Sequence, residues 1–178
     1  MSHSLLKPGR RTFLAVGVAG AGALALAGWL RRTPAPAPGG AASSISTDGQ
    51  DILRAVVPVM LAGALPQAPA PRAAAIAQTL AALETAVGGL PAGAQAELAQ
   101  LFDLLSLPPV RIAVARIDVP WAEASPEQVR ACLDRFRGSP VQLLRAAYDA
   151  LHQLTFAAWY GNPQAWGPIG YPGPPELA

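Results

Sequence analysis

The sequence predicts an all-α protein. It reads as a small helical bundle, preceded by an N-terminal apolar helix of the export or anchor kind and followed by an irregular tail of aromatics, Pro and Gly. Three observations carry that expectation. After residue 47, apolar residues recur at three- and four-residue spacing, the period of one helix face. Prolines stand at the starts of these segments and glycines at their ends. That asymmetry suits helices, because the first turn has N–H groups without acceptors and the exit favours a residue with no Cβ. Finally, no Asn-Gly-type turn is flanked by alternating apolar runs, so no hairpin is signalled.

Residues 1–32 form a leader. Lys7, Arg10 and Arg11 precede an uncharged run from Thr12 to Leu30, with no acid among them. As a helix that run would span roughly 28 Å, close to the thickness of a bilayer core. Gly17, Gly20, Gly22 and Gly28 dilute its apolar character. Adjacent guanidiniums at Arg10 and Arg11, followed by Phe13 and Leu14, have the layout of a twin-arginine export signal. The expected readers are the twin-arginine translocase and the inner membrane, and the expected location is the periplasm. Gly40-Ala41-Ala42 before Ser43 has the small-residue form of a cleavage site. The alternative is an uncleaved anchor, with residues 33–46, rich in Pro, Gly and Ser, as a stiff tether.

Residues 47–161 form the helical domain. The first helix is expected from Asp48 to Leu65, with Ile52, Leu53, Val56, Val57, Met60 and Leu61 inward and Pro58 kinking or splitting it. Pro66, Pro69 and Pro71 then hold an extended connector. A second helix from Pro71 to Val87 buries Ile76, Leu80, Leu83 and Val87 and stops at Gly88-Gly89. A third starts at Pro91, buries Ala94, Leu98, Leu101, Phe102 and Leu105, and ends at Pro108-Pro109. The β-branched stretch from Val110 to Val119 has no sheet to join, so it reads as a short helix or an extended segment on the bundle. Ser125-Pro126-Glu127-Gln128 is a capping box that opens a helix with Val129, Cys132, Leu133 and Phe136 inward, closed by Gly138. Ser139-Pro140-Val141-Gln142 repeats the device before a last helix to Tyr160. That helix carries Leu144, Ala147, Tyr148, Leu151, Thr155 and Trp159 on one side.

Composition narrows the functional classes. The chain has 13 Lys+Arg and 11 Asp+Glu. Five of the bases lie in the leader, and all the acids lie after it, so the remainder carries 8 − 11 = −3. A body of that charge has no basic face for nucleic acid. The single Cys132 allows neither an internal disulfide nor a Cys-x-x-Cys-His haem attachment. His152 is the only histidine beyond the leader, with Asp149 one turn before it as a possible contact. No phosphate loop, nucleophile elbow or metal-binding His pair is present. No catalytic constellation emerges, and no cofactor is expected. Arg135 and Arg137 read as cations suited to a helix C-terminus.

The tail, residues 162–178, differs from the rest of the chain. Trp159 and Tyr160 close the last helix and lead into it, and Trp166 and Tyr171 stand within it among Pro and Gly, in a stretch too irregular for a helix. Such aromatics must be covered. Either they fold back on their own bundle, or they dock a partner protein, where Trp and Tyr dominate binding energy.

The ending Trp159-Tyr160-Gly161-Asn162-Pro163…Trp166…Ile169-Gly170-Tyr171-Pro172-Gly173-Pro174 resembles that of the small subunits of membrane-bound flavin dehydrogenases. These are the gluconate 2-dehydrogenase subunit 3 family and the small subunits of sorbitol, fructose and glucose dehydrogenases. The twin-arginine leader and Leu61-Ala62-Gly63-Ala64-Leu65-Pro66 are similar as well. The resemblance implies a non-catalytic escort. Its partner would be a large subunit of the glucose–methanol–choline class that binds FAD, lacks its own export signal, and leaves the cytoplasm on this chain's leader. A multihaem cytochrome c subunit would then take the electrons. The rival reading is a self-sufficient, membrane-anchored envelope protein that binds an unrelated partner or ligand.

Overall fold

The computed structural model describes residues 45–173, and these are all-helical, with no strand among them. The leader with Arg10, Arg11, Phe13 and Leu14, most of the linker, and the last five residues lie outside the described residues.

The chain centres on α1, Thr47–Met60, which packs against every other long helix and against the turn at Trp121. Its N-terminus is capped by Ser46, whose Oγ accepts the Gly49 N–H at 3.2 Å. Ile52, Leu53, Val56 and Val57 are buried, as their spacing requires. Pro58 neither splits the helix nor ends it at once. The helix runs two residues further and stops at Met60, short of the Leu65 expected. Near a helix end, the missing Pro N–H forfeits one bond of a turn that is already fraying. The chain then turns through Gly63 at φ +93, a left-handed conformation that Gly adopts without strain, and Leu61 and Leu65 anchor both sides of that turn in the core.

Helix α2, Pro69–Gly88, begins inside the stretch expected to be an extended connector. Pro69 and Pro71 both fall in its first turn, where an N–H has no helical acceptor, so they start the helix rather than delay it. Its buried face is Ala75, Thr79, Leu83 and Val87, with Ile76 and Leu80 only partly covered. Gln95 ties the next corner together by donating to the carbonyls of Gly88 (3.1 Å) and Leu90 (2.8 Å). Helix α3, Ala92–Ser106, then buries Leu101, Phe102 and Leu105 against α1.

Both readings of residues 110–119 hold in part. A single turn at Pro108–Val110 continues into a π-helical turn, Arg111–Ala115, and the backbone reverses at Arg116 in the left-handed region. The following residues are extended, with Ile117 fully buried. Two arginines hold this segment. Arg111 donates to the carbonyls of Ile117 and Val119, and Arg135 reaches across from α4 to the carbonyl of Ala115. The Trp121–Glu123 turn is pinned where Trp121 Nε1 donates to Leu105 O at 2.9 Å.

Helix α4, Pro126–Arg137, has both bonds of the capping box: Gln128 N to Ser125 Oγ at 3.3 Å and Ser125 N to Gln128 Oε1 at 3.0 Å. Val129, Cys132, Leu133 and Phe136 face inward. The second Ser-Pro device differs. Helix α5, Gln142–Tyr160, starts after Val141, and the Ser139 hydroxyl accepts the Val141 N–H at 3.1 Å within the turn. With only two residues between Ser139 and Gln142, the hydroxyl closes a local turn instead of capping the helix. α5 packs on α2, α4 and α1 through Ala147, Leu151, Thr155, Ala158 and Trp159.

Candidate partner-docking surface

The end of α5 and the tail form one small structure, built around Trp166. Helix α5 closes at Gly161, whose N–H bonds to Ala157 O at 2.9 Å. A Cβ at Gly161 would stand 2.9 Å from that same carbonyl, so the tight exit needs glycine. Asn162 then works at both ends. Its Oδ1 accepts the Gln164 N–H at 3.0 Å, and its Nδ2 donates to Gln78 Oε1 on α2 at 3.2 Å. Two short 3-10 turns follow, Pro163–Ala165 and Gly167–Ile169. Ala165 is buried under them.

Trp166 folds back on the helix, its indole N–H donating to the Tyr160 carbonyl at 2.7 Å. Tyr171 closes the loop. Its N–H bonds to Trp166 O at 3.1 Å, and its ring meets the indole edge-on, with centroids 5.4 Å apart. Gly170 at φ +70 supplies the reversal. The tail is therefore irregular in dihedral angle but well tied in hydrogen bonds.

The four aromatics of the sequence reading part company here. Trp159 is 8% exposed and belongs to the core of the bundle. Trp166 is half-buried, the hub of the tail. Tyr160 and Tyr171 are exposed at 39% and 46%, and Ile169 beside them is exposed at 58%. Both alternatives for the tail thus have residues on their side: Trp159 and Trp166 turn inward, while Tyr160, Ile169 and Tyr171 face solvent. A surface of this kind can bind without first ordering itself, because its backbone is already held.

A second aromatic row climbs α5 to the same point. Tyr148, His152, Phe156 and Tyr160 stand four residues apart, with successive ring centroids at 5.7, 4.4 and 6.0 Å. His152 is a member of this stack and makes no hydrogen bond or ion pair with Asp149 among the described residues. No cluster of three or more His, Cys, Asp or Glu side chains placed to hold a metal occurs among the described residues. No single described helix is long and apolar enough to cross a membrane.

Sequence reasoning missed a feature on the other end of α5. Arg135 does not merely complement a helix terminus; it crosses to the carbonyl of Ala115. Nothing in local sequence signals a contact between residues twenty apart on different elements.

Comparison of the chain with protein-family models, with curated proteins and with solved structures gives no match.

Proposed function

We propose that this chain is a non-catalytic small subunit that exports and stabilises a flavin-dependent sugar or alcohol dehydrogenase of the glucose–methanol–choline class. Its leader supplies the address, through Arg10 and Arg11, to the twin-arginine translocase. Its helical body and tail supply the grip on the folded, FAD-loaded partner, which passes electrons to a multihaem cytochrome c in the periplasm. One observation carries the reading: the C-terminal motif from Trp159 to Pro174, whose described part presents Tyr160, Ile169 and Tyr171 to solvent on a hydrogen-bonded frame. Exposed aromatics on a preordered backbone are the composition and the state that favour a protein interface.

The test uses the full tagged chain in its bacterial host. The expected outcome is a periplasmic chain that co-purifies with a polypeptide showing flavin absorption. Replacing Arg10 and Arg11 together by Lys should leave both proteins in the cytoplasm, since an ammonium does not reproduce a planar guanidinium. A wild-type chain that purifies without a flavoprotein would overturn the escort reading. Unchanged export of the double variant would overturn the twin-arginine assignment.

A further inference from the structure

The corner between α4 and α5 holds a recess of ≈ 460 Å³, apart from the C-terminal surface. Val114, Pro140 and Leu144 give it apolar walls, and Arg116, Arg135 and Asp134 supply its charges. Arg116 is the unusual member. It is the one non-glycine described residue with positive φ (φ 54, ψ 39). A residue with a Cβ is disfavoured in that region, whereas glycine enters it freely. The turn before it is π-helical, a geometry found often at functional sites.

The Arg116 side chain is exposed and bonds to no partner among the described residues. Of the other arginines of the body, Arg54 and Arg137 pair with carboxylates and Arg111, Arg135 and Arg145 with backbone carbonyls, while Arg72 and Arg130, which like Arg116 make no hydrogen bond or ion pair among the described residues, lie outside the recess. Arg135 also keeps an unmet donor, since its Nε is buried without a hydrogen-bond partner. Asp134 is the opposing charge in the recess, and its carboxylate is held by Arg137 at 3.3 Å. The lining therefore carries two guanidiniums against one carboxylate, a local excess of positive charge on a body whose formal charge is negative.

We infer that this recess receives an acidic side chain, Asp or Glu set among apolar neighbours, from the flavoprotein partner, with Arg116 as its anchoring cation. The inference rests on the escort reading above. Its physical basis is complementarity: a guanidinium binds a carboxylate through a two-pronged, charge-assisted fork, and Val114, Pro140 and Leu144 offer apolar contact beside it. Arginine at this position bears a backbone strain that glycine would not, and a strained residue in a recess is a candidate for function. Its side chain is exposed and does not pack in the core.

The experiment compares affinities of the full chain for the flavoprotein that co-purifies with it. Arg116→Gly removes the cation and relieves the backbone, so it should melt within a few degrees of wild type. Its binding should weaken about tenfold or more and should lose much of its sensitivity to added salt. Arg116→Glu should bind more weakly still, and Arg116→Lys should fall between. Arg116→Asn, which tolerates the left-handed region, is the second uncharged variant. Wild-type affinity in Arg116→Gly would overturn the recess as a contact while leaving the escort reading intact. Weakening that follows melting temperature rather than charge across the four variants would overturn it too. A wild-type chain with no flavoprotein attached would remove the escort reading, and this inference with it.

Discussion

Cys132 shows how one residue's burial becomes a property of the whole chain. It is a free thiol, 1% exposed, on the inner face of α4. Burial pushes its pKa from 9.0 up to about 11, against a smaller opposing pull from the Arg135 charge. Between these values the unfolded chain gives up its proton while the folded chain keeps it. The folded state then binds more protons, so stability falls as pH rises. The contribution is fully present below about pH 8.5 and is lost progressively towards pH 11. We expect a loss of about 2 kcal/mol across that interval, absent in Cys132→Ala. Urea unfolding of both proteins at a mildly and a strongly alkaline pH measures the difference. Equal pH slopes would mean that the thiol is not the group responsible.

At the scale of elements, what matters is how closely α1 can approach its neighbours. Gly49 lies in the first turn of α1, buried beneath Ile45 and the ring of Phe102 on α3. A Cβ there would stand 2.8 Å from Ile45 Cγ2 and 3.0 Å from Phe102 Cδ2. Its dihedral angles are helical, so alanine is welcome to the backbone and unwelcome to the packing. Gly49→Ala should gain the better helix propensity of alanine and still destabilise by roughly 1–3 kcal/mol, because overpacking outweighs a propensity term of about 1 kcal/mol. Thermal unfolding decides this. A stabilised variant would mean that Ile45 moves aside at little cost. The capping box at Ser125 was legible at this scale because both its bonds are local and its spacing is diagnostic. The entry to α2 is not legible in the same way, because closely spaced prolines suit an extended connector and a first helical turn equally well.

For the whole molecule, the question is which aromatics hold the fold and which remain for a partner. Trp159 packs inside the bundle, and Tyr171 lies on its outside. Trp159→Ala should therefore lower stability by about 3–5 kcal/mol. Tyr171→Ala should disturb only its edge contact with Trp166 and leave melting nearly unchanged. If Tyr171 contacts the partner, the same change should weaken co-purification of the flavoprotein by about 2 kcal/mol or more. Melting curves and co-purification on the same two variants keep the effects apart. A Tyr171→Ala chain that melts like wild type and still retains its partner would remove this residue from the interface.

Local sequence was enough to give the helical class of the described residues, the five long helices and most of their inner faces. These rest on local spacing: Val129, Cys132, Leu133 and Phe136 share a face whatever else the chain does. It also carried the candidate tail by composition, naming Trp159, Tyr160, Trp166 and Tyr171. Only the tertiary structure separated those four, because period and composition cannot say which side of α5 is covered by α2 and which is left to solvent. The same holds for Arg116 and Arg135. Their recess exists because a π-helical turn and the α4–α5 corner meet in space, and no spacing along the chain encodes a meeting between residues so far apart in it.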